Sequence, residues 1–415
     1  EETESLGQRE QDNYIPIGGS AVPFKVCSVD SHVFNTLEDL KKYLIWEADN
    51  VAFLPLQNFL DKNAIFMDDE FYGRGTDWVK FNVDGFAAFC NLFNIPSRFL
   101  EKIDEPGLVS RVLNNYQQNA IIKESMARHK MVVDTVNKTV LGVVSNTYRQ
   151  YSNQSLLLDI EEYFPKLLKE YKLEESYVIN TNLYLRVTSP KIKAGIVTGS
   201  GGTGEDISRV GLQISNSMVG ESSIKICFFI LRLVCANGLI VESFNHNSKV
   251  VHSGREDTFE RRLKTAISPL LKEIKTIPKI IETLASIPFQ PELIVKHGGA
   301  PYVYDIIPLN KDLAAKRQAL RRKEKYIAFD TEVIAQYPYH YGGKYSSRVF
   351  NSRYRNNQSM FDFINVFTEY AQSRQVTSVG RRLEIEKKTG ELVRWIVEKK
   401  RKLKNGGGTF EQVIL

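Results

Sequence analysis

The chain has 415 residues, 42% of them hydrophobic and 25% charged, a balance that gives a globular protein enough apolar material for one large core or two ordinary ones. Its longest apolar run, around Ile226 to Val234, carries Arg232 and falls far short of the roughly 20 residues needed to cross a bilayer. No membrane span is expected, and the formal charge of +6 is modest enough that its placement matters more than its size.

The opening "EETESLGQREQDNY" lacks the basic and apolar regions of a secretory signal, and residues 1–20 read as a polar tail. The four cysteines, Cys27, Cys90, Cys227 and Cys235, form no CxxC pair and no dense framework, which suits free thiols in a reducing cytoplasm. Helical patterning runs from Leu37 through the fifties. It returns from Val83 to Leu100, where Phe86, Phe89, Cys90 and Phe93 recur at spacings of three and four and mark one buried face. From about Ile121 the pattern turns to strands, with a hairpin signal at Asn137-Lys138 between two β-branched runs. A helical stretch over Asn153–Tyr171 precedes three strand candidates at 177–189, 207–218 and 222–235. The last is joined by an Asn237-Gly238 turn to "LIVESFN".

The period then switches to a helical one. Phe259, Leu263, Ile267, Leu270, Ile274, Ile277, Ile281 and Leu284 form one stripe over 256–287, with kinks or a break expected at Pro269 and Pro278. Residues 288–310 are rich in Pro and Gly and read as loop. A basic helix follows to about Val333, then an aromatic and basic segment at 336–357, two helices from Ser359 to Ser373 and from Arg381 to Lys402, and a flexible tail from 404. The fold class expected is α+β, a central antiparallel meander packed with helices and followed by a helical basic C-terminal region. The divisions expected are a tail over 1–20, an α+β core over 21–300 with its sheet at about 121–245, a basic and aromatic segment over 301–357, helices over 358–403 and a tail over 404–415.

Several motifs touch on chemistry. Cys235, followed by His246 and His252, permits a Cys and His arrangement, but a cysteine between Val234 and Ala236 behaves as a small hydrophobe, and the spacing matches no zinc template. "GSGGTG" at 199–204 satisfies GxGxxG, yet the residues after it continue as a strand rather than opening a helix, so a hairpin loop is the better reading. Asp68, Asp69, Glu70 and Asp77 could hold Mg²⁺, although adjacent acids in a turn point in different directions and a solvated turn is the plainer alternative. No catalytic residue, metal ligand or cofactor is assigned.

The charge is segregated. Residues 311–326 hold seven Lys or Arg against two acids, and residues 380–404 hold ten against four, so these two runs carry +11 and leave the rest of the chain at −5. Concentrated positive charge attracts polyanions through counterion release, with a solvated helix face as the alternative. At 336–357, Tyr337, Tyr339, His340, Tyr341, Tyr345, Phe350 and Tyr354 interleave with Lys344, Arg348, Arg353 and Arg355. Rings stack on exposed bases while cations neutralise the backbone. The alternative is a tyrosine-rich segment packed on the core.

Four stretches in this order, "FCNLFNIPSRFLEKI" (89–103), "VVDTVNKTVLGVVSNTYRQYSNQSLL" (132–157), "LRLVCANGLIV" (231–241) and "FINVFTEYAQ" (363–372), resemble the phage- and plasmid-borne family catalogued as domain of unknown function 932. The resemblance implies a mobile-element setting and a bacterial host cell, and supplies no catalytic residue. The succession of antiparallel strands, long helix and basic segments is also similar to the core of Rad52-like single-strand annealing proteins, which implies assembly into rings or filaments without a nucleotide cofactor.

The functional expectation is a binding protein for single-stranded DNA or RNA, oligomeric and acting in recombination or strand annealing. Lys316, Arg317, Arg321, Arg322, Lys323, Lys344, Arg348, Arg353 and Arg355 would neutralise phosphates, and Tyr341, Tyr345 and Tyr354 would stack on bases. Two alternatives stand beside it. One is a metal-dependent enzyme acting on nucleic acid or nucleotides through the 67–77 carboxylates or Cys235 with His252. The other is a non-catalytic effector that binds a host protein.

Overall fold

A computed structural model describes residues 30–57, 65–67, 70–72, 79–103, 108–197, 205–233, 237–252, 256–320, 322–351 and 358–405. The class is α+β. The main sheet runs Ser31–Phe34, Ser176–Ile179, Asn182–Val197, Glu205–Ser217, Ile224–Arg232 and Asn237–Val241, each strand antiparallel to the next. Short strands Lys172–Leu173 and Lys249–Val250 extend it. The period of two sets its faces: Leu183, Leu185 and Val187, Val210, Leu212 and Ile214, and Ile226, Phe228 and Ile230 all enter the main core.

The apolar stripe after the sheet covers that face. It forms helix Glu256–Glu273, a single 3₁₀ turn at Ile274–Thr276 and helix Ile277–Ala285. Pro269 lies inside the first helix, whereas Pro278 falls in the first turn of the second, where its missing N–H breaks no helical bond. The expectation of loop over 288–310 is corrected. Helices Pro291–Lys296 and Ala300–Ile306 each carry a proline in the first turn, so residues read as breakers start helices, and Leu293, Ile294, Val303 and Ile306 join the core.

Two turn readings also change. The run 177–189 is two strands joined at Asn180, whose φ is +54°. Asn237 and Gly238 pair with Arg232 and Leu231, so they belong to the strand rather than to a turn. Neither residue is among the positive-φ positions. Gly238 answers to packing instead, because a Cβ there would stand 2.8 Å from Glu386 Oε1 and 2.9 Å from the Phe229 ring. Cys235 lies outside the described residues, as does the "GSGGTG" loop. The strands flanking that loop pair out to Val197 and Glu205.

On the sheet's other face, Tyr177, Cys227, Phe229 and Ile240 pack against Val379 and Leu383 of the C-terminal helix Val379–Asn405. This helix covers edge strand Asn237–Val241. A Cβ on Gly390 would sit 1.7 Å from the Ile240 carbonyl oxygen, so glycine lets the helix close on an edge that would otherwise be open. A buried ion pair fixes the register: Arg186 donates to the Glu386 carboxylate and, at 2.8 Å, to Gln213, with its guanidinium 4.9 and 4.7 Å from the Tyr177 and Phe229 rings.

A second, smaller sheet holds Val51–Pro55, His129–Asp134, Thr139–Ser145 and Lys80–Phe81. Lys138, with φ +52°, closes the hairpin at the expected place. Behind it Phe81, Phe86, Phe89, Cys90 and Phe93 form a separate core. The helical run over Val83–Leu100 divides into Val83–Asn91 and Ser97–Leu100, interrupted by Asn94 at φ +54° and Pro96. Strands do not begin at Ile121: Asn119 accepts from the Ile121 N–H at 2.9 Å and caps helix Ala120–Ala127.

Candidate functional site

The charged C-terminal region divides into two kinds of surface. On helix Val379–Asn405, Arg381, Arg382, Lys387, Lys388 and Arg394 all form ion pairs, with Glu384, Glu175, Glu391, Glu384 and Glu242 or Glu398 respectively. Most of these pairs lie within the run itself, and Glu175 and Glu242 are the partners supplied from elsewhere in the fold.

Residues 311–325 behave differently. Asn310 caps helix Lys311–Gln318 by accepting from the Leu313 N–H at 2.8 Å, and no residue of this helix is buried. Arg317 tethers it. Its Nε and Nη2 donate to the two oxygens of the buried Asp330 carboxylate at 2.7 and 2.9 Å, and its guanidinium lies 4.1 Å from the Tyr326 ring and 5.1 Å from Tyr304. The hydrogen bond to Asp330 raises the Arg317 pKa further. Arg317 thus acts as a fastening. Lys311, Lys316, Arg322, Lys323 and Lys325 are exposed and form no ion pair among the described residues. Lys316 approaches the Phe329 ring at 5.9 Å.

The aromatic segment is mostly helix, Lys323–Tyr341 and Lys344–Asn351. Tyr337 is buried and donates to the Ile307 carbonyl at 2.7 Å. Tyr341 is half-buried, its ring 5.0 Å from Tyr337 and 5.5 Å, edge-on, from Tyr370. Its partial burial raises its pKa. Tyr339 and His340 are exposed, as is Lys344. The side chains of Tyr345 and Arg348, and the whole of Arg321, Arg353, Tyr354 and Arg355, lie outside the described residues. Of the predicted residues, Lys316, Arg322 and Lys323 are exposed, and Arg317 and Tyr341 are held inward.

His252, the imidazole of the enzymatic alternative, is buried and stacked on Tyr148 at 5.3 Å. Burial pushes its pKa down to about 4. Asp68, Asp69 and Asp77 lie outside the described residues, and among the described residues no group of three or more His, Cys, Asp or Glu is placed to hold a metal ion.

A cavity of about 150 Å³ that sequence patterning did not reveal lies where edge strand Ser31–Phe34 and helix Leu37–Asn50 meet the smaller sheet. It is lined by His32, Tyr43, Trp46, Glu47, Asn180 and Thr181, among others. Glu47 is buried on the same helix face as Leu40 and Leu44, an acid on an apolar stripe. That was the available signal. Its Oε2 accepts from Asn153 Nδ2 at 2.8 Å, the same amide donates to the Thr181 carbonyl at 3.0 Å, and Asn153 Oδ1 accepts from Asn216 at 2.8 Å. Glu47 Oε1 and Thr181 Oγ1 are buried without a hydrogen-bond partner. Burial pushes the Glu47 carboxyl up to about 8, so it is largely protonated at neutral pH. Asn82 and Asn180 close the back wall: Asn82 Nδ2 donates to Asn180 Oδ1 at 3.1 Å, and Asn180 donates to the Leu141 carbonyl at 3.2 Å.

The model of the domain of unknown function DUF932 matches residues 140–394, more than half of the chain. No curated protein matches it. No solved structure matches either, and the architectural likeness to Rad52-like annealing proteins finds no support there. Among the described residues no helix is long and apolar enough to cross a membrane. The matched segment takes in the long hairpin, the helices on its core face and the start of the helix over its edge: the chain belongs to the DUF932 family.

Proposed function

We propose that the protein binds a nucleic-acid strand through its phosphates, at the face formed by Lys311, Lys316, Arg322, Lys323 and Lys325. The observation that carries this reading is the contrast with helix Val379–Asn405, where five cations have carboxylate partners, while Lys311, Lys316, Arg322, Lys323 and Lys325 have none among the described residues. Unpaired surface cations gain from a polyanion what paired ones have already gained from the fold. Stacking on bases, the basis for preferring a single strand, falls to Tyr345 and Tyr354 and to the exposed Tyr339, because Tyr341 is turned toward Tyr337 and Tyr370. The family's mobile-element setting extends the proposal to copies assembling along a strand during recombination in a bacterial cytoplasm.

The test is fluorescence anisotropy with a labelled oligonucleotide over a salt series. Binding should weaken with a log–log slope of about −0.7 per phosphate neutralised on a single strand, and Lys316→Glu with Lys323→Glu should lower that slope by about two phosphates' worth. No signal with micromolar protein at about 50 mM salt, where such contacts are strong, sinks the proposal.

A further inference from the structure

We propose that the cavity between the two sheets binds a flat, uncharged nitrogen heterocycle with a hydrogen-bond donor and acceptor side by side, that is, a nucleobase, free, as a nucleoside, or presented by a strand. Four observations lead there. First, Glu47 and Thr181 line the cavity, and one side-chain oxygen of each, Oε1 and Oγ1, is buried with no hydrogen-bond partner among the described residues. Such groups are rare in native proteins, and here they stand on either side of the Asn153 amide that bonds both residues. A protonated Glu47 donates, and the Thr181 hydroxyl donates or accepts. Together they match a donor and an acceptor side by side on a ring edge.

Second, about 150 Å³ is several times the ~30 Å³ share of one water and below the roughly 300–1,000 Å³ of pockets for larger ligands, which suits a compound of one or two rings. Third, the lining offers flat faces: the His32 and Tyr43 rings lie 4.5 Å apart and Tyr43 and Trp46 5.5 Å apart, and all three residues line the cavity. Fourth, the lining contains Asp30, Glu47 and Asp134 and neither Lys nor Arg, which disfavours phosphate or carboxylate inside. Asp134 is already occupied by the backbone N–H groups of Val136 and Asn137 at 2.9 Å and the Asn137 amide at 2.7 Å, and Glu47 and Thr181 are the lining residues that carry a buried, unpartnered side-chain oxygen. The inference does not rest on the phosphate-binding proposal, since none of the cations of 311–325 lines this cavity.

The experiment titrates the full chain with adenosine, cytidine, uridine and inosine, followed by tryptophan fluorescence and calorimetry. Saturable quenching by at least one of the four is expected, since each base presents a donor and an acceptor side by side. Trp46→Phe should remove the optical signal and keep the heat. Thr181→Val removes one unpartnered polar atom, so folding should be retained; Glu47→Met removes the unpartnered Oε1 together with Oε2, the acceptor of the Asn153 amide, and each should weaken binding about tenfold. If oligonucleotide affinity is unchanged in Thr181→Val, the ligand is a free nucleoside. If it falls in parallel with nucleoside affinity, the base comes from a strand. No saturable binding of any of the four, equal affinity in both variants and wild type, or saturation by methylamine alone would overturn the assignment. Failure of anisotropy binding with intact nucleoside binding would remove only the phosphate proposal.

Discussion

The cationic face at 311–325 and the cavity beside Glu47 hold polar groups in opposite circumstances. The first displays charges in water, where each contributes little to stability and stays available to a partner. The second withdraws one carboxyl oxygen and a hydroxyl from water without giving them partners, which costs free energy in the empty fold. Availability at the surface needs no structural compensation. In the interior it has to be held in place, here by Asn153, Asn180 and Asn82.

The sharpest way to break this comparison is a pH series on Glu47→Gln. An unfolded glutamate titrates near 4.5 and the folded one at about 8, so the folded state keeps a proton that the unfolded state releases between those values. Wild-type stability should therefore fall as pH rises from 4.5 to 8, by up to about 5 kcal/mol, and level off above. Urea midpoints of Glu47→Gln should lack that slope. His252 works in the opposite direction: its folded pKa is lowered to about 4 from 6.5, so its contribution is present above 6.5 and lost as pH falls toward 4, and His252→Leu should remove that loss.

On the cationic side, Arg317→Ala should cost about 3 kcal/mol, because it strands the buried Asp330 carboxylate. Lys316→Ala should change stability by no more than about 0.5 kcal/mol. A comparable loss for both in chemical denaturation would erase the distinction between fastening and display. Gly390→Ala should cost about 2 kcal/mol by pushing the C-terminal helix off the Ile240 carbonyl, seen as faster amide exchange in strand Asn237–Val241. Gly238→Ala should cost roughly 1 kcal/mol, since what its Cβ would meet is side chain, Glu386 Oε1 and the Phe229 ring, rather than backbone.

Much of the fold was legible from local pattern. Alternation set which face of Asn182–Val197, Glu205–Ser217 and Ile224–Arg232 is buried, and the spacing of Phe259, Leu263, Ile267 and Leu270 located the covering helix. Misreadings came where one residue type has two uses. Proline at 291 and 301 starts a helix as readily as it stops one, and glycine at 238 serves close packing rather than a turn. The candidate sites divide the same way. Cation density at 311–325 is a property of the chain, whereas the role of Arg317 depends on Asp330, thirteen residues on.

By itself the amino-acid order determined the α+β class, the hairpin at Lys138, the apolar faces and the segregation of charge, since each follows from neighbours in sequence and the periods of strand and helix. Only the tertiary structure decided which cations are neutralised, which tyrosines face inward, and that Glu47, Asn153 and Thr181 meet around a cavity. Those outcomes depend on contacts such as Glu47 with Asn153, 106 residues apart, and no local period encodes a pairing at that distance.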